Sequence, residues 1–415
     1  MIPRRLDGER LELGGGFEVL LQAALAGMEP GDLIDVATGS RAVALELPGW
    51  ARGEGHETVS EPRPRDGRFV VRLRRGPGRR VLADALPPRG AGLPTRAGGE
   101  LHTADWRGAA AGVPAVLDPA SGFAPLGAVP ERGGPRFDWR LHRRDEVWAP
   151  EAAQLAEQAS GEQWDASRDV PWEAARGVPD VLERAVAQVM TFIAQNEYAA
   201  LYVPAAFLPQ VHPGYAEAVL WLSSHVHDEA RHVEVFTKRA LIGGHAGHAL
   251  GSTELSLHTL LEEHDFTNAS LLLNVLGEGT FLDLLRFVER HAPDAATAAA
   301  ARLAHRDERR HVHFGISHVR HVLSSDPERR AALIAAAERR AGKLTDLTGV
   351  SPLLSEGLTI MAAGSLRPAA LSEGARAVRS LMATMERNRI RRLRSAGFDA
   401  HAARHLSELH TPNLM

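Results

Sequence analysis

One short motif occurs twice in this chain and carries side chains that can bind metal ions. Glu-x-x-His is found from Glu229 to His232 and from Glu308 to His311, and nowhere else in the 415 residues. Each copy lies in the longer word Asp-Glu-x-Arg-His-Val. Side chains three residues apart on a helix project from one face, so this carboxylate and this imidazole can bind the same ion. One copy would be a weak signal, because surface ion pairs share the spacing, but two near-identical copies favour a metal site.

Two further glutamates interrupt stretches that are otherwise mainly apolar. Glu197 is one of them, and Glu278, flanked by two glycines, is the other. A buried carboxylate without a partner is costly or becomes protonated, and metal binding removes that cost. Similar lengths of chain separate Glu197 from Glu229 and Glu278 from Glu308. A helix, a short connection and a returning helix would bring each pair to one level, so the two halves repeat one another.

The order Glu, Glu-x-x-His, Glu, Glu-x-x-His resembles the di-iron carboxylate proteins of the ferritin-like superfamily, over residues 180–325. The resemblance implies a mainly α protein: a four-helix bundle with two metal ions in its core and added C-terminal helices. Oxygen-rich ligation with two imidazoles suits iron or manganese better than zinc or copper. We expect two iron ions, with a manganese and iron pair as the alternative. The implied ligands are Glu197, Glu229, His232, Glu278, Glu308 and His311.

The residues beside the ligands also fit this family. A metal-bound imidazole usually donates its other N–H to a carboxylate. The resemblance places Asp228 and Asp307 in that role, and we expect them to pair across the bundle with His311 and His232, respectively. The charges of the two aspartates would be neutralised by Arg231 and Arg310.

Two additional histidines lie close to the motifs. The Asp-Glu-x-Arg-His words are similar to those of arylamine N-oxygenases, in which a further histidine ligand precedes the second motif by four residues. Ala304 occupies that position here, whereas His225 and His305 lie near the first and second motifs. Either histidine is a candidate seventh ligand; an ordinary hydrogen-bonded histidine is the alternative.

The residues around the motifs narrow the chemistry. In the ribonucleotide reductase small subunit a radical tyrosine follows the first motif, and this chain has Phe236 there. Of the three tyrosines, Tyr202 is the one that could reach the site. Rubrerythrin-type peroxidases need cysteines, which this chain lacks, and iron-storage ferritins are much shorter. We therefore expect an O2-dependent oxidase or monooxygenase of a small organic molecule, with amine N-oxygenation among its reactions. The alternatives are a ferroxidase or metal-binding protein without an organic substrate, and a docking partner in sulfur metabolism.

Such an enzyme needs electrons from elsewhere. Without cysteines the chain binds no iron–sulfur cluster, and no strand is followed by a G-x-G-x-x-G nucleotide motif. We expect a ferredoxin, a flavin reductase or peroxide to drive turnover.

Four long helices are predicted to position these residues. They span residues 180–203, 215–242, 267–292 and 295–323, with breaks at Pro204, Gly243-Gly244, Pro293 and Asp326-Pro327. Further helices are predicted at 328–346, 351–363, 371–396 and 399–409. Residues 136–415 would form this helical domain, and the tryptophans of its first part, Trp164 among them, are expected to anchor the core.

The N-terminal residues 1–75 are predicted to form a small α/β domain. Strands are expected at 11–13, 33–38, 57–60 and 69–73, and helices at 17–26 and 41–52. Pro30-Gly31-Asp32 before a strand and Gly55-His56-Glu57 after a helix resemble the TusA-like sulfur carriers. That family has Cys-Pro at the start of its first helix, where this chain has Gly14-Gly15-Gly16, so a docking or structural role is expected. Residues 76–135, rich in proline and glycine, read as a linker or wrapping segment.

Composition excludes several classes of partner. Hydrophobic residues make up 44% and charged residues 24%, as in soluble globular proteins. A net charge of −4 gives no reason to expect nucleic acid or an anionic membrane. The chain lacks both a membrane-spanning apolar run and a secretion-signal pattern, so we expect a cytoplasmic protein. Assembly into a homodimer is compatible with the sequence.

Overall fold

The computed structural model describes residues 4–77, 96–107, 112–126, 128, 135–344 and 350–410. The chain forms two compact units, Met1–Gly92 and Leu93–Met415. The first carries a small mixed sheet, and the second is helical. The division between them falls inside the predicted linker 76–135, of which a large part lies outside the described residues.

Within its described residues, 4–77, the N-terminal unit has five strands and two helices. Its sheet runs in the order β1-β2-β5-β3, with β4 also paired to β5; β1 and β2 are parallel and the other pairs antiparallel. One face of the sheet is buried under the helices, because Ile34 and Val36 alternate towards it on β2 and pack with Phe17 of α1 and Leu47 of α2. The elements are β1 Arg4–Asp7, α1 Phe17–Ala26, β2 Leu33–Thr38, α2 Arg41–Gly53, β3 Glu57–Thr58, β4 Arg63–Arg65 and β5 Arg68–Arg74.

The prediction of a first strand at residues 11–13 is wrong. The strand lies earlier, at Arg4–Asp7, where it pairs with β2. Leu11 is exposed, and the following residues turn towards α1. Gly14 and Gly16 have φ values of 82° and 104°, which favour glycine and make this segment a turn.

The helical unit is built on a four-helix bundle. Its helices are α5 Asp180–Phe207, α6 Ala216–Leu241, α8, and α9 Ala295–Ser325; α8 runs as α-helix over Phe266–Ser270, as π-helix over Leu271–Glu278 and as α-helix over Gly279–His291. Two apolar clusters fill the unit, one around Trp221 and Phe314 and the other around Phe192 and Leu284. The prediction of a mainly α protein with a four-helix bundle, added C-terminal helices and a small N-terminal α/β unit is confirmed.

Further helices precede, interrupt and follow this bundle in the sequence. Before it come α3 Arg144–Val147 and α4 Ala152–Gly161, and α7 Gly251–Leu261 lies between α6 and α8. After it come α10 Arg329–Lys343, α11 Pro352–Ala363, α12 Pro368–Ser395 and α13 Ala400–His410, with α11 packed on α5 and α12 on α11 and α8. Short 3-10 turns occupy Thr103–Asp105, Trp172–Ala175 and Leu208–Gln210. Within the described residues no helix is long and apolar enough to cross a membrane.

The predicted break at Pro204 is wrong, because α5 continues through it to Phe207. Proline removes one helical hydrogen bond. The carbonyl of Pro204 still accepts from the N–H of Leu208, and Val203 and Phe207 are buried in the core. Tertiary packing therefore outweighs the local cost.

The middle of α8 differs from the regular α-helix that the sequence predicts. Within Leu271–Glu278 the turns are wider, and the N–H of Gly279 donates to the carbonyl of Asn274, five residues earlier. Such π segments often mark functional sites. Here the segment ends at Glu278, one of the predicted ligands.

Candidate metal centre

The structure brings the two Glu-x-x-His motifs together in the core of the bundle. The Nδ1 atom of His232 lies 3.3 Å from a carboxylate oxygen of Glu229 and 3.4 Å from one of Glu308. The Nδ1 atom of His311 lies 2.8 Å from Glu229 and 3.4 Å from Glu308. All four side chains are fully buried. Each motif glutamate therefore lies beside both imidazoles, in a position from which its carboxylate could bridge two ions.

The ligand atoms form two groups that share one glutamate. In each group these atoms all lie within 4.8 Å of one another. Glu229 belongs to both groups, so the two binding positions are adjacent. The first group is Glu197, Glu229, His232 and Glu308; the second is His225, Glu229, Glu278 and His311.

His225 and His305, both candidates for a seventh ligand, lie in different surroundings. The Nε2 atom of His225 is 3.0 Å from Glu278 and 3.5 Å from Glu229. His305 belongs to neither group and lines a separate pocket with Asp283 and other residues. The geometry leaves His225 as the candidate.

Several buried atoms of the cluster lack a hydrogen-bond partner among the described residues. They are Oε1 of Glu197 and both carboxylate oxygens of Glu308, which lie 3.4 Å from the Nδ1 atoms of His232 and His311 without hydrogen-bond geometry. Leaving such atoms without partners is costly in a protein core. Metal ions at the two positions would accept their lone pairs, and two divalent ions would balance the charge of the four glutamates. The donor set therefore fits two metal ions.

The crowding of the carboxylates shifts the pKa values of the cluster residues. Burial, together with the nearby charges of Glu229 and Glu308, raises the pKa of Glu197 well above its ordinary value. Burial also raises the pKa of Glu278. Burial alone would lower the pKa of His232, but Glu229 and Asp307 hold it well above its ordinary value. Without cations, the cluster must retain protons to limit the repulsion between its carboxylates.

Each aspartate that precedes a motif glutamate lies beside the imidazole of the opposite motif. The Nε2 atom of His232 is 3.3 Å from Asp307, and the Nε2 atom of His311 is 3.3 Å from Asp228. A carboxylate at this nitrogen fixes the ring so that Nδ1 faces the glutamates. Both pairs span the bundle between α6 and α9.

Two arginines each contact both aspartates, so the four side chains form one network of ion pairs. The guanidinium of Arg310 donates to Asp228 at 2.9 Å and to Asp307 at 2.6 Å. That of Arg231 donates to Asp307 at 3.1 Å and also to Asp228. Two positive charges thus balance two negative charges, which leaves the charge of the glutamates for the metal ions.

Two residues that the sequence analysis did not assign to the metal site also contact this network. The indole Nε1 of Trp164 donates to Asp307 at 2.6 Å, and its ring stacks near that of His232. The amide of Asn274 donates to Glu278 at 2.7 Å. Asn274, four residues before Glu278 in a leucine-rich stretch, was detectable as a polar residue on the same helix face. The role of Trp164 was not detectable, because its partner Asp307 lies on α9, far away in the sequence.

The tyrosines lie away from the cluster. Tyr202 was expected to be able to reach the site, but its side chain is exposed and stacks on Tyr198. The hydroxyl of Tyr215 lies 3.0 Å from the carbonyl of His142. Phe236, by contrast, has its ring centroid 6.4 Å from that of His232.

A narrow cavity adjoins the cluster between α5, α7, α8 and α10. Its volume is about 30 Å³, and Glu197 and Glu278 form part of its wall. Most of the remaining wall is apolar, and one basic side chain, Arg340, completes it. The apolar residues are Ala200, Leu257, Leu260, Leu272, Leu273 and Phe281.

No family model matches the chain, and no curated protein matches it. Among solved structures, an R2-like ligand-binding oxidase, a tyrosine-to-phenylalanine mutant with an aerobically reconstituted Mn/Fe cofactor, is similar with a TM-score of 0.47 and 16% identity, over 64% of this chain and 99% of that one. A glycine-to-leucine mutant with an aerobically reconstituted Fe/Fe cofactor has a TM-score of 0.45 and 16% identity over the same shares. These two structures and this chain share a partial likeness of fold.

Proposed function

We propose that the protein is a non-haem oxidase or monooxygenase that uses two metal ions and dioxygen to oxidise a small organic molecule. The observation that carries this proposal is the buried cluster in which the two ligand groups share Glu229, next to a narrow apolar cavity. We assign the ions as two irons, with manganese and iron as the alternative pair.

The cluster residues divide into two roles. Glu197, Glu229, Glu278 and Glu308 would hold the two ions with their carboxylates, and Glu229 is common to both ligand groups. His232 and His311 would each bind one ion through Nδ1. When bound, such a pair of ions supplies electrons to dioxygen and activates it.

The protein residues around the ligands orient them and exclude water. Asp228 and Asp307 hold the two imidazoles at Nε2, and Arg231 and Arg310 keep these aspartates ionised. Burial raises the pKa of each aspartate, but the neighbouring imidazole and Arg310 outweigh this effect. The pKa values of Asp228 and Asp307 therefore lie below their ordinary value. A fixed, dry arrangement of this kind limits reorganisation when charge changes at the ions.

The apolar wall of the cavity favours an organic substrate over simple oxidation of ferrous iron. This wall joins Glu197 and Glu278 to leucine and phenylalanine side chains. A ferroxidase needs a polar route for iron rather than a leucine-lined wall. Amine N-oxygenation and carbon hydroxylation both belong to the proposed class.

Electrons would come from an external ferredoxin, a flavin reductase or peroxide. The chain has no cysteine and therefore provides no iron–sulfur relay of its own. For the N-terminal unit, whose sequence resembles sulfur carriers but lacks their cysteine, we propose docking or structural support.

Turnover of metal-loaded protein tests this proposal. With a chemical reductant or a generic ferredoxin system, dioxygen consumption should rise when a panel of amines and short hydrocarbons is added, and mass spectrometry should detect an oxygenated or desaturated product. Oxidation of ferrous iron with no organic product would instead identify a ferroxidase.

A further inference from the structure

A basic groove runs along α8, where this helix packs against α12 and the middle of α9. It consists of two adjoining pockets of about 350 and 420 Å³, which share Asp283, Arg286 and Asn388. Among the described residues that line it, Asp283 is the single carboxylate. The basic residues are Arg286, Arg290, Arg309, Arg391, Arg392, His291, His305 and His313. Because the chain as a whole has a net charge of −4, this groove concentrates positive charge on one part of an acidic protein.

The single carboxylate does not neutralise the groove. The side chain of Asp283 is only 6% exposed, accepts a hydrogen bond from the amide of Asn388 at 2.6 Å, and lies 3.4 Å from Nη1 of Arg392. Arg286, Arg309 and Arg391 are exposed at the rim, and no ion pair of theirs is found within the described part of the chain. Their charges are therefore available to an anionic partner.

The floor of the groove lies next to the metal cluster. On α9, Arg309 directly follows the candidate ligand Glu308. On α8, Gly279 directly follows the candidate ligand Glu278, and a Cβ at Gly279 would lie 2.6 Å from Nε of Arg392. The guanidinium of Arg392 thus packs on the backbone beside a ligand, in space that only a glycine leaves open. An electron that entered at the groove would reach the cluster through α8 and α9.

We propose that this groove is the docking surface for an acidic ferredoxin that delivers electrons to the metal ions. The inference rests on the proposed function for the destination of the electrons, but the docking itself can be measured without it. Opposite charges on two proteins steer their encounter and fix their orientation. A phosphate group fits less well, because the cations at the rim are exposed and the more buried Arg392 already contacts Asp283.

The electron balance of this step is simple. Each reduced ferredoxin would lose one electron and leave in its oxidised form, and two such encounters would reduce two ferric ions to the ferrous state. Rapid exchange of the partner requires a weak complex, and complexes between electron-transfer proteins are typically small and weak.

Docking is tested with an acidic plant-type [2Fe–2S] ferredoxin in its oxidised form. Isothermal titration calorimetry with the metal-loaded full chain measures the dissociation constant at several sodium chloride concentrations. Between about 20 and about 300 mM salt, wild type should bind roughly 10- to 100-fold more weakly, because salt screens the attraction between exposed charges.

A pair of double variants assigns the binding to the groove. Arg286→Glu with Arg391→Glu should weaken binding at least about tenfold, because it reverses two charges at the rim. The control is Arg168→Glu with Arg339→Glu, which changes the net charge equally at side chains that are 85% and 61% exposed and lie outside the groove. It should alter binding by less than about threefold, since it leaves the docking surface intact. Thermal unfolding verifies that both variants fold.

Electron delivery is measured with the same proteins by stopped-flow absorbance. Ferredoxin is reduced with dithionite, desalted and mixed with the ferric protein, and its reoxidation gives a second-order rate constant. The groove variant should be at least about tenfold slower than the control variant. Turnover driven by peroxide, which needs no docking surface, should be equal in both.

Three results would overturn the inference: wild type that does not bind ferredoxin at low salt, a folded groove variant that binds as the control does, or protein with two ferric ions that leaves reduced ferredoxin unoxidised. Failure of the proposed function is distinguishable from these. Groove-dependent binding and reoxidation without any organic product refute the oxidase proposal alone. An organic product formed with a chemical reductant, but without groove-dependent binding, refutes the docking surface alone.

Discussion

Asp307 is held by side chains from three parts of the chain that are far apart in sequence. Trp164 donates to it from the segment before α5, Arg231 from α6 and Arg310 from its own helix, while His232 faces it across the bundle. The motif residues were detectable in the sequence because metal ligands must have particular side chains at particular spacings. The contribution of Trp164 was not, because an indole has no role at a metal site until the fold gives it a partner.

Trp164→Phe tests whether this indole supports the metal site. The change keeps an aromatic ring but removes the donor to Asp307, so the carboxylate that orients His232 is less firmly held. We expect about 1 kcal/mol lower stability and roughly tenfold weaker iron binding in competition with a chelator. The matched control is Trp172→Phe, which removes a hydrogen bond to the carbonyl of Ala166 instead. Equal iron affinity in both variants would show that the indole only fills space.

At the scale of elements, apolar periodicity predicted the long helices to within a few residues of their ends. It failed where the buried face is polar or the turn is irregular. The buried face of α7 carries Thr253, Ser256 and Thr259, so Gly251–Leu261 has no apolar periodicity. This helix was therefore not predicted from the sequence. The π segment of α8 was missed because its leucine-rich sequence is equally compatible with an α-helix. Pro204 was misjudged because packing outweighs one lost hydrogen bond.

The contact between α11 and α12 provides a prediction about these added helices. A Cβ at Gly374 would lie 2.3 Å from the backbone oxygen of Thr359, so Gly374→Ala forces the two helices apart. We expect a loss of about 1–3 kcal/mol in the free energy of unfolding, measured by urea denaturation. Gly251→Ala, where a Cβ meets nothing within 4 Å, is the control and should change stability by less than about 0.5 kcal/mol. Similar values for the two variants would contradict this close packing.

At the scale of the whole molecule, all predicted ligands lie in the unit Leu93–Met415. Its apolar clusters surround a centre that is polar, charged and fully buried, which is costly unless ions complete it. The sequence indicated this organisation because its two halves repeat. The sequence could not indicate that Glu229 and Glu308 each lie close to both motif histidines, because this proximity depends on the distance between α6 and α9.

The metal content of wild type and three ligand variants tests whether the cluster binds two irons. Glu229 belongs to both ligand groups, whereas Glu197 and Glu278 each belong to one. Protein reconstituted with ferrous iron should hold about two irons per chain, as the paired ligand sets imply. Glu229→Ala should lose most of both, while Glu197→Ala and Glu278→Ala should each keep about one. Elemental analysis combined with Mössbauer spectroscopy measures this. A wild type that binds a single zinc and no iron, or a Glu229→Ala variant that retains two coupled irons, would contradict the account.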